Sequence, residues 1–122
     1  VYHTNSTGRG RGILIALKSQ FNSNDMFLKS PISNADILGI RIVEKCTSIN
    51  FIALYVTPGA SVSDYTEIFS YTGTHCNIAN NYIIIGDFNI PQYSSQFLTD
   101  NITNLSGSSV PLKDFIDYNN LK

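Results

Sequence analysis

The spacing of hydrophobic and polar positions changes repeatedly along the chain, and each change marks a predicted element. Ile13-Leu14-Ile15-Ala16-Leu17 is a continuous apolar run entered from Gly8-Arg9-Gly10-Arg11-Gly12, which predicts a buried strand after a flexible loop. Residues 19–36 are rich in Ser, Asn and Asp and hold their apolar residues at no sustained period. They read as a connection with a short strand around Phe27. Residues 37–45 alternate, with Leu38, Ile40 and Ile42 on one face and Arg41, Val43 and Lys45 on the other, as in a half-buried strand. Thr47-Ser48 is then the expected turn of an antiparallel hairpin. Its second strand covers residues 49–56, β-branched and aromatic enough to be buried on both faces.

Thr57-Pro58-Gly59 ends that strand, because Pro lacks the ladder N–H and Gly tolerates a turn. Ser61 stands three residues before Asp64, the spacing of a helix capping pair, and Val62, Tyr65, Ile68, Phe69, Thr72 and Cys76 then recur at helical spacing. Gly73 costs such a helix about 1 kcal/mol and marks an expected early end. Tyr82-Ile83-Ile84-Ile85 is a short apolar run suited to a central strand covered on both sides. Strand, helix and strand in that order make a βαβ unit, so the second strand should run parallel to the first. Residues 91–110 read mostly as loop. Pro111 then opens a helix with Leu112, Phe115, Ile116 and Tyr118 on its inner face.

Composition narrows the class. With 122 residues, 43% hydrophobic and 14% charged, the chain fits one packed domain or part of a larger one, taken here as residues 1–122 of an incomplete domain. It begins with Val1 and ends on Asn120-Leu121-Lys122, which suggests a cropped segment. No apolar run approaches the roughly 20 residues that span a bilayer, and the first residues do not resemble a signal peptide. The expected setting is nuclear or cytoplasmic, not secreted and not membrane-bound. The sequons at Asn5, Asn101 and Asn104 are then chance matches, and Cys46 and Cys76 free thiols. The net charge of −1 provides no global basic field, so contact with nucleic acid has to come from a local site.

The sharpest chemical signal is Ile84-Ile85-Gly86-Asp87-Phe88-Asn89, an apolar strand that delivers a carboxylate and a carboxamide two residues apart, aimed alike by strand alternation. Such a pair suits phosphodiester hydrolysis: the carboxylate orients and deprotonates a water, and the amide holds a phosphate oxygen without adding negative charge. A plain Asp/Asn turn is the alternative for those residues.

Gly12-Ile13-Leu14-Ile15-Ala16-Leu17-Lys18, then Ala53-Leu54-Tyr55-Val56-Thr57-Pro58, then a helix, then Ile83-Ile84-Ile85-Gly86-Asp87-Phe88-Asn89-Ile90-Pro91 resemble consecutive motifs of the endonuclease/exonuclease/phosphatase superfamily. The likeness covers nearly the whole chain and is greatest to the apurinic-type endonuclease domain of non-LTR retrotransposons. It implies an α/β fold, part of a four-layered α/β/β/α sandwich of the DNase-I-like type with a mixed sheet. Tyr55 matches the tyrosine that reaches the scissile phosphate, Asp87 the aspartate that positions the attacking water, and Asn89 the asparagine that contacts phosphate. Mg²⁺ or Mn²⁺ would be the cofactor, with Asp87 touching it through water. DNA would be the partner, and a reverse transcriptase the covalent continuation.

The family's metal-binding Glu strand and its closing Ser-Asp-His segment have no match in this chain. Glu44, Glu67, His3 and His75 fall outside the family's catalytic positions. Arg9, Arg11 and Lys18 are candidates for a DNA backbone. The expected function is target-site nicking by a metal-dependent endonuclease, of which the chain holds a part that is inactive alone. The alternatives are an inactive relic of such a domain and a phosphodiesterase of the same fold acting on a small phosphoester.

Overall fold

The computed structural model describes residues 1–4, 11–76, 81–90 and 107–121. In chain order its elements are β1 (Tyr2–His3), β2 (Leu14–Ile15), β3 (Asn22–Asp25), β4 (Ala35–Glu44), β5 (Thr47–Val56), α1 (Val62–Thr74), β6 (Asn81–Asp87) and α2 (Ser109–Tyr118). Strands β3-β4-β5-β6 make a mixed sheet: β3 and β5 run antiparallel to β4, and β6 runs parallel to β5. The described residues thus form a mixed α/β fold with a four-stranded sheet and two helices. A separate antiparallel ladder joins β1 to β2, and the Tyr2 hydroxyl ties it to Ser23 of β3 at 2.9 Å.

Most of the predicted elements form, with shifted edges. Strand β2 keeps only the middle of the apolar run. The hairpin turn lies at Lys45-Cys46, because Thr47 and Ser48 already pair with Glu44 and Val43, and Lys45 takes the turn with φ 52°. Strand β3 precedes Phe27 instead of including it. The Asp25 carboxylate accepts the Phe27 N–H at 2.6 Å, and Phe27 turns out of the strand with φ 54°.

Helix α1 starts at a complete capping box. Ser61 Oγ accepts from the Asp64 N–H at 3.1 Å, and Asp64 Oδ2 accepts from the Ser61 N–H at 2.9 Å. That backbone N–H, followed by the Asn34 amide at 3.1 Å, holds the Asp64 carboxyl below its ordinary value of 3.8. The contribution is therefore present above pH 3.8 and lost as pH falls through the lowered value. The helix passes through Gly73 and ends one residue later, with Cys76 beyond it. Cys76 is a free thiol, and burial pushes its pKa up to about 11.

The helices cover one face of the sheet. Ala35, Ile37, Ile52, Leu54 and Val56 point into a core shared with Tyr65, Ile68 and Phe69 of α1 and Leu112 and Phe115 of α2. Phe69 is its hub, stacked on Phe115 at 5.2 Å and edge-on to Phe88 at 5.7 Å. Helix α2 begins at Ser109 and carries Pro111 within its first turn, where a missing N–H costs nothing. Tyr118 is 87% exposed and so leaves the predicted inner face. Four residues after Phe115 the inward place belongs to Asn119, whose carbonyl accepts the Tyr82 hydroxyl at 2.8 Å. Strand β6 also differs from expectation: among the described residues it is an edge strand, with Ile83 49% and Ile85 55% exposed. Of the loop expected at residues 91–110, residues 91–106 lie outside the described residues, and Ser109 and Val110 belong to α2.

Candidate active site

The parallel pairing of β5 with β6 sets Tyr55 directly beside Asp87 as Cα partners at the carboxyl ends of the two strands. Partners in a ladder send their side chains to the same face, here the one opposite the helices. Tyr55 is half-buried and Asp87 exposed. The two residues that the motifs single out are therefore brought together at an open sheet edge, where α/β sheets hold their ligands.

Gly86 makes this approach possible. A Cβ added to it would lie 2.1 Å from the Leu54 carbonyl oxygen, so any side chain would push β6 off β5 just before Asp87.

Asn89 departs from the expected alternation. Strand β6 stops at Asp87, and Asn89 takes a left-handed conformation with φ 46°. Its Nδ2 donates to the Val56 carbonyl at 2.8 Å, and its backbone N–H donates to Asp87 Oδ1 at 3.1 Å. Asn89 thereby fixes one carboxylate oxygen and clips the turn to the end of β5. In this conformation its amide is spent on the backbone.

Two further residues shape the site. Tyr65, which helical spacing placed only on the apolar face of α1, donates its hydroxyl to the carbonyls of Phe88 at 2.7 Å and Asn89 at 3.0 Å. Burial raises its pKa, and the nearby Asp87 charge raises it further, so it stays a donor. Asp36 is the Cα partner of Tyr55 on the β4 side, which makes a row Asp36, Tyr55, Asp87 across three strands. Its side chain is only 14% exposed and lies 3.6 Å from Arg11 Nε.

The remaining candidates stay apart from this row. His75 caps the end of α1 against the Tyr71 ring at 4.9 Å, His3 is exposed on β1, and Glu44, Glu67 and Lys18 are exposed. Arg9 and the sequons at Asn5, Asn101 and Asn104 lie outside the described residues.

As chemistry, the arrangement offers a solvent-facing carboxylate to orient and deprotonate a water, beside a phenol that can donate to an anionic oxygen. Asp87 is a hard-oxygen donor of the type Mg²⁺ prefers. One carboxylate falls short of a set that would hold the ion unaided, and no cluster of three or more His, Cys, Asp or Glu occurs among the described residues. No family model, curated protein or solved structure matches the chain.

Proposed function

We propose that this chain carries part of the active site of a metal-dependent endonuclease that nicks DNA, of the kind found in non-LTR retrotransposons. The observation that carries the proposal is the adjacency of Tyr55 and Asp87, two residues 32 positions apart in the chain and paired at one open edge. Asp87 orients a water toward phosphorus and accepts its proton. Tyr55 donates to a non-bridging oxygen, and Asn89 and Tyr65 fix the turn that aims Asp87. In the whole domain, a DNase-I-like α/β/β/α sandwich, Mg²⁺ or Mn²⁺ would supply positive charge at the phosphate, with Asp87 as one oxygen donor to it. A reverse transcriptase fused to the domain would extend the new 3′ end, in the nucleus or cytoplasm.

An inactive relic is the second reading, and the engagement of the Asn89 amide by Val56 supports it. A small-phosphoester hydrolase of the same fold has no comparable support.

The test joins this chain to the Glu strand and Ser-Asp-His segment of an active relative and follows Mg²⁺-dependent nicking of supercoiled plasmid. Asp87→Asn should lower the rate by about 100-fold or more while the protein stays folded, the scale of a lost general base. A rate within a few-fold of the parent would remove Asp87 from catalysis. Without the added segments, the chain should nick no faster than its own Asp87→Ala variant.

A further inference from the structure

Helices α1 and α2 run parallel over the sheet, because Phe69 stacks on Phe115 at 5.2 Å and, four residues further along each helix, Gly73 lies against Asn119. A groove of about 600 Å³ opens between them. Its wall on α1 includes Thr66, Ser70 and Thr74, and its wall on α2 Val110, Asp114 and Tyr118, each set spaced four apart and so aligned along its helix.

The shape suits a third helix. Short side chains on the α1 wall let a neighbour approach to the spacing of about 8–10 Å at which helices pack. The 13 residues of α1 extend about 20 Å, which is room for about three to four turns. Val110 is 39% exposed and Tyr118 87%, apolar surface that such a guest would cover.

Charge selects the kind of helix. Of the chain's 9 Asp and Glu, four lie on α1 and α2, namely Asp64, Glu67, Asp114 and Asp117. Of its 8 Lys and Arg, Lys113 alone lies there, and it is paired with Asp117. The helix layer is therefore acidic and the remainder of the chain net positive. Asp114 lines the groove, and Glu67, seven residues before Thr74, projects along nearly the same line of α1. Neither helix has a basic residue in its last turn, so the negative ends of two parallel helix dipoles add at one end of the groove. That field repels a phosphate backbone. A symmetric contact with a second copy would set acidic wall against acidic wall.

We infer that this groove docks a basic amphipathic helix of a partner protein: apolar side chains at helical spacing enter between α1 and α2, and Lys or Arg on the flanks meet Glu67 and Asp114. The docking is independent of the chemistry at Tyr55 and Asp87, which face away from the helices.

The test is amide NMR of the 122-residue chain titrated with synthetic peptides of about 14 residues, roughly four helical turns. One carries leucines at helical spacing and lysines on its other face, a second has glutamate in place of every lysine, and a third scrambles the order of the first. The basic peptide should shift the amides of residues 66–74 and 110–118 and gain helicity, and the other two should bind at least about 10-fold more weakly. Added salt should weaken it. Glu67→Gln combined with Asp114→Asn should cost about 2- to 30-fold, the scale of two surface ion pairs. Ser70→Gln keeps a good helix former at an exposed position and fills the groove, so it should cost about 5-fold or more.

The inference fails if about 1 mM basic peptide leaves the groove amides unmoved, if the acidic or scrambled peptide binds as well, or if Ser70→Gln binds like the parent. A thymidine oligonucleotide that shifts the same amides would assign the groove to nucleic acid, and a concentration-dependent dimer that shifts them without peptide would assign it to a second copy. Either result overturns the proposal. Asp87→Asn should leave peptide binding unchanged.

Discussion

The two faces of the β5–β6 pair are made by the same residues' alternation, yet they differ in almost every physical respect. On the helix side Ile52, Leu54 and Val56 are sealed under Tyr65, Ile68 and Phe69. On the other side Ala53 is buried and Tyr55 half-buried, whereas Asp87 is exposed and Ile83 and Ile85 keep about half of their surface in water. Burial near 25 cal/mol per Å² accumulates on the first face and leaves the second free to hold polar groups whose desolvation would otherwise cost stability. Tyr65 joins the two, since its ring is core and its hydroxyl holds the turn that carries Asp87 toward the open side.

The comparison is tested hardest at the aromatic hub. Phe69→Ala removes a ring that touches Tyr65, Phe88 and Phe115, and urea denaturation should show a loss of about 3–5 kcal/mol. A loss under 1 kcal/mol would mean that the helix face does not carry the fold.

Gly86→Ala acts at the seam between the faces. The new methyl meets a backbone carbonyl instead of a pliable side chain, so the strands must separate locally, at a cost of about 1–3 kcal/mol. The same shift should move the amide resonances of Tyr55 and Asp87. An Ala variant as stable as the parent, with those signals unmoved, would contradict the close β5–β6 approach.

Tyr65→Phe keeps the ring and deletes the donor to the Phe88 and Asn89 carbonyls. The expected cost is about 1 kcal/mol, that of an ordinary buried hydrogen bond. Its signature is spatial: exchange protection should fall around residues 88–90 and stay unchanged in the β4–β5 hairpin. Uniform loss across the sheet would show that the hydroxyl does not act on the turn.

How much of this was legible in the sequence follows from which interactions are local. The capping box of α1 and the βαβ order that makes β6 parallel formed as expected, whereas the half-buried alternation read for β4 did not, because Ile37, Leu38, Gly39 and Ile40 are all buried and the helix-side core takes Ala35 and Ile37. The hairpin turn was misplaced by two residues, because Thr47 and Ser48 suit a turn by composition and a strand by pairing. The slip matters to the site: a turn at Thr47-Ser48 would set Tyr55 opposite Ile40, whereas Lys45-Cys46 sets it opposite Asp36. An alternation count back from Tyr55 with the turn at Lys45-Cys46 finds that carboxylate. Nothing local showed that the Tyr65 hydroxyl reaches 23 residues ahead to Phe88, or that Asn89 would turn back on Val56.

The smallest expected effect lies on the open face itself. Ile85 is 55% exposed on an edge strand, and its neighbours on that face are Ala53 and the exposed Ile83. Ile85→Thr keeps the β-branched shape that strands favour and exchanges an ethyl group for a hydroxyl that water can solvate. If the face is open in solution, stability should stay within about 0.5 kcal/mol of the parent, as for surface substitutions generally. If another layer covers it, the hydroxyl would be buried without a partner, and the loss should reach about 1–3 kcal/mol. Equilibrium unfolding in urea separates these outcomes. The larger loss would mean that the two faces are both core, and that Tyr55 and Asp87 sit at the rim of a buried layer instead of on an open sheet.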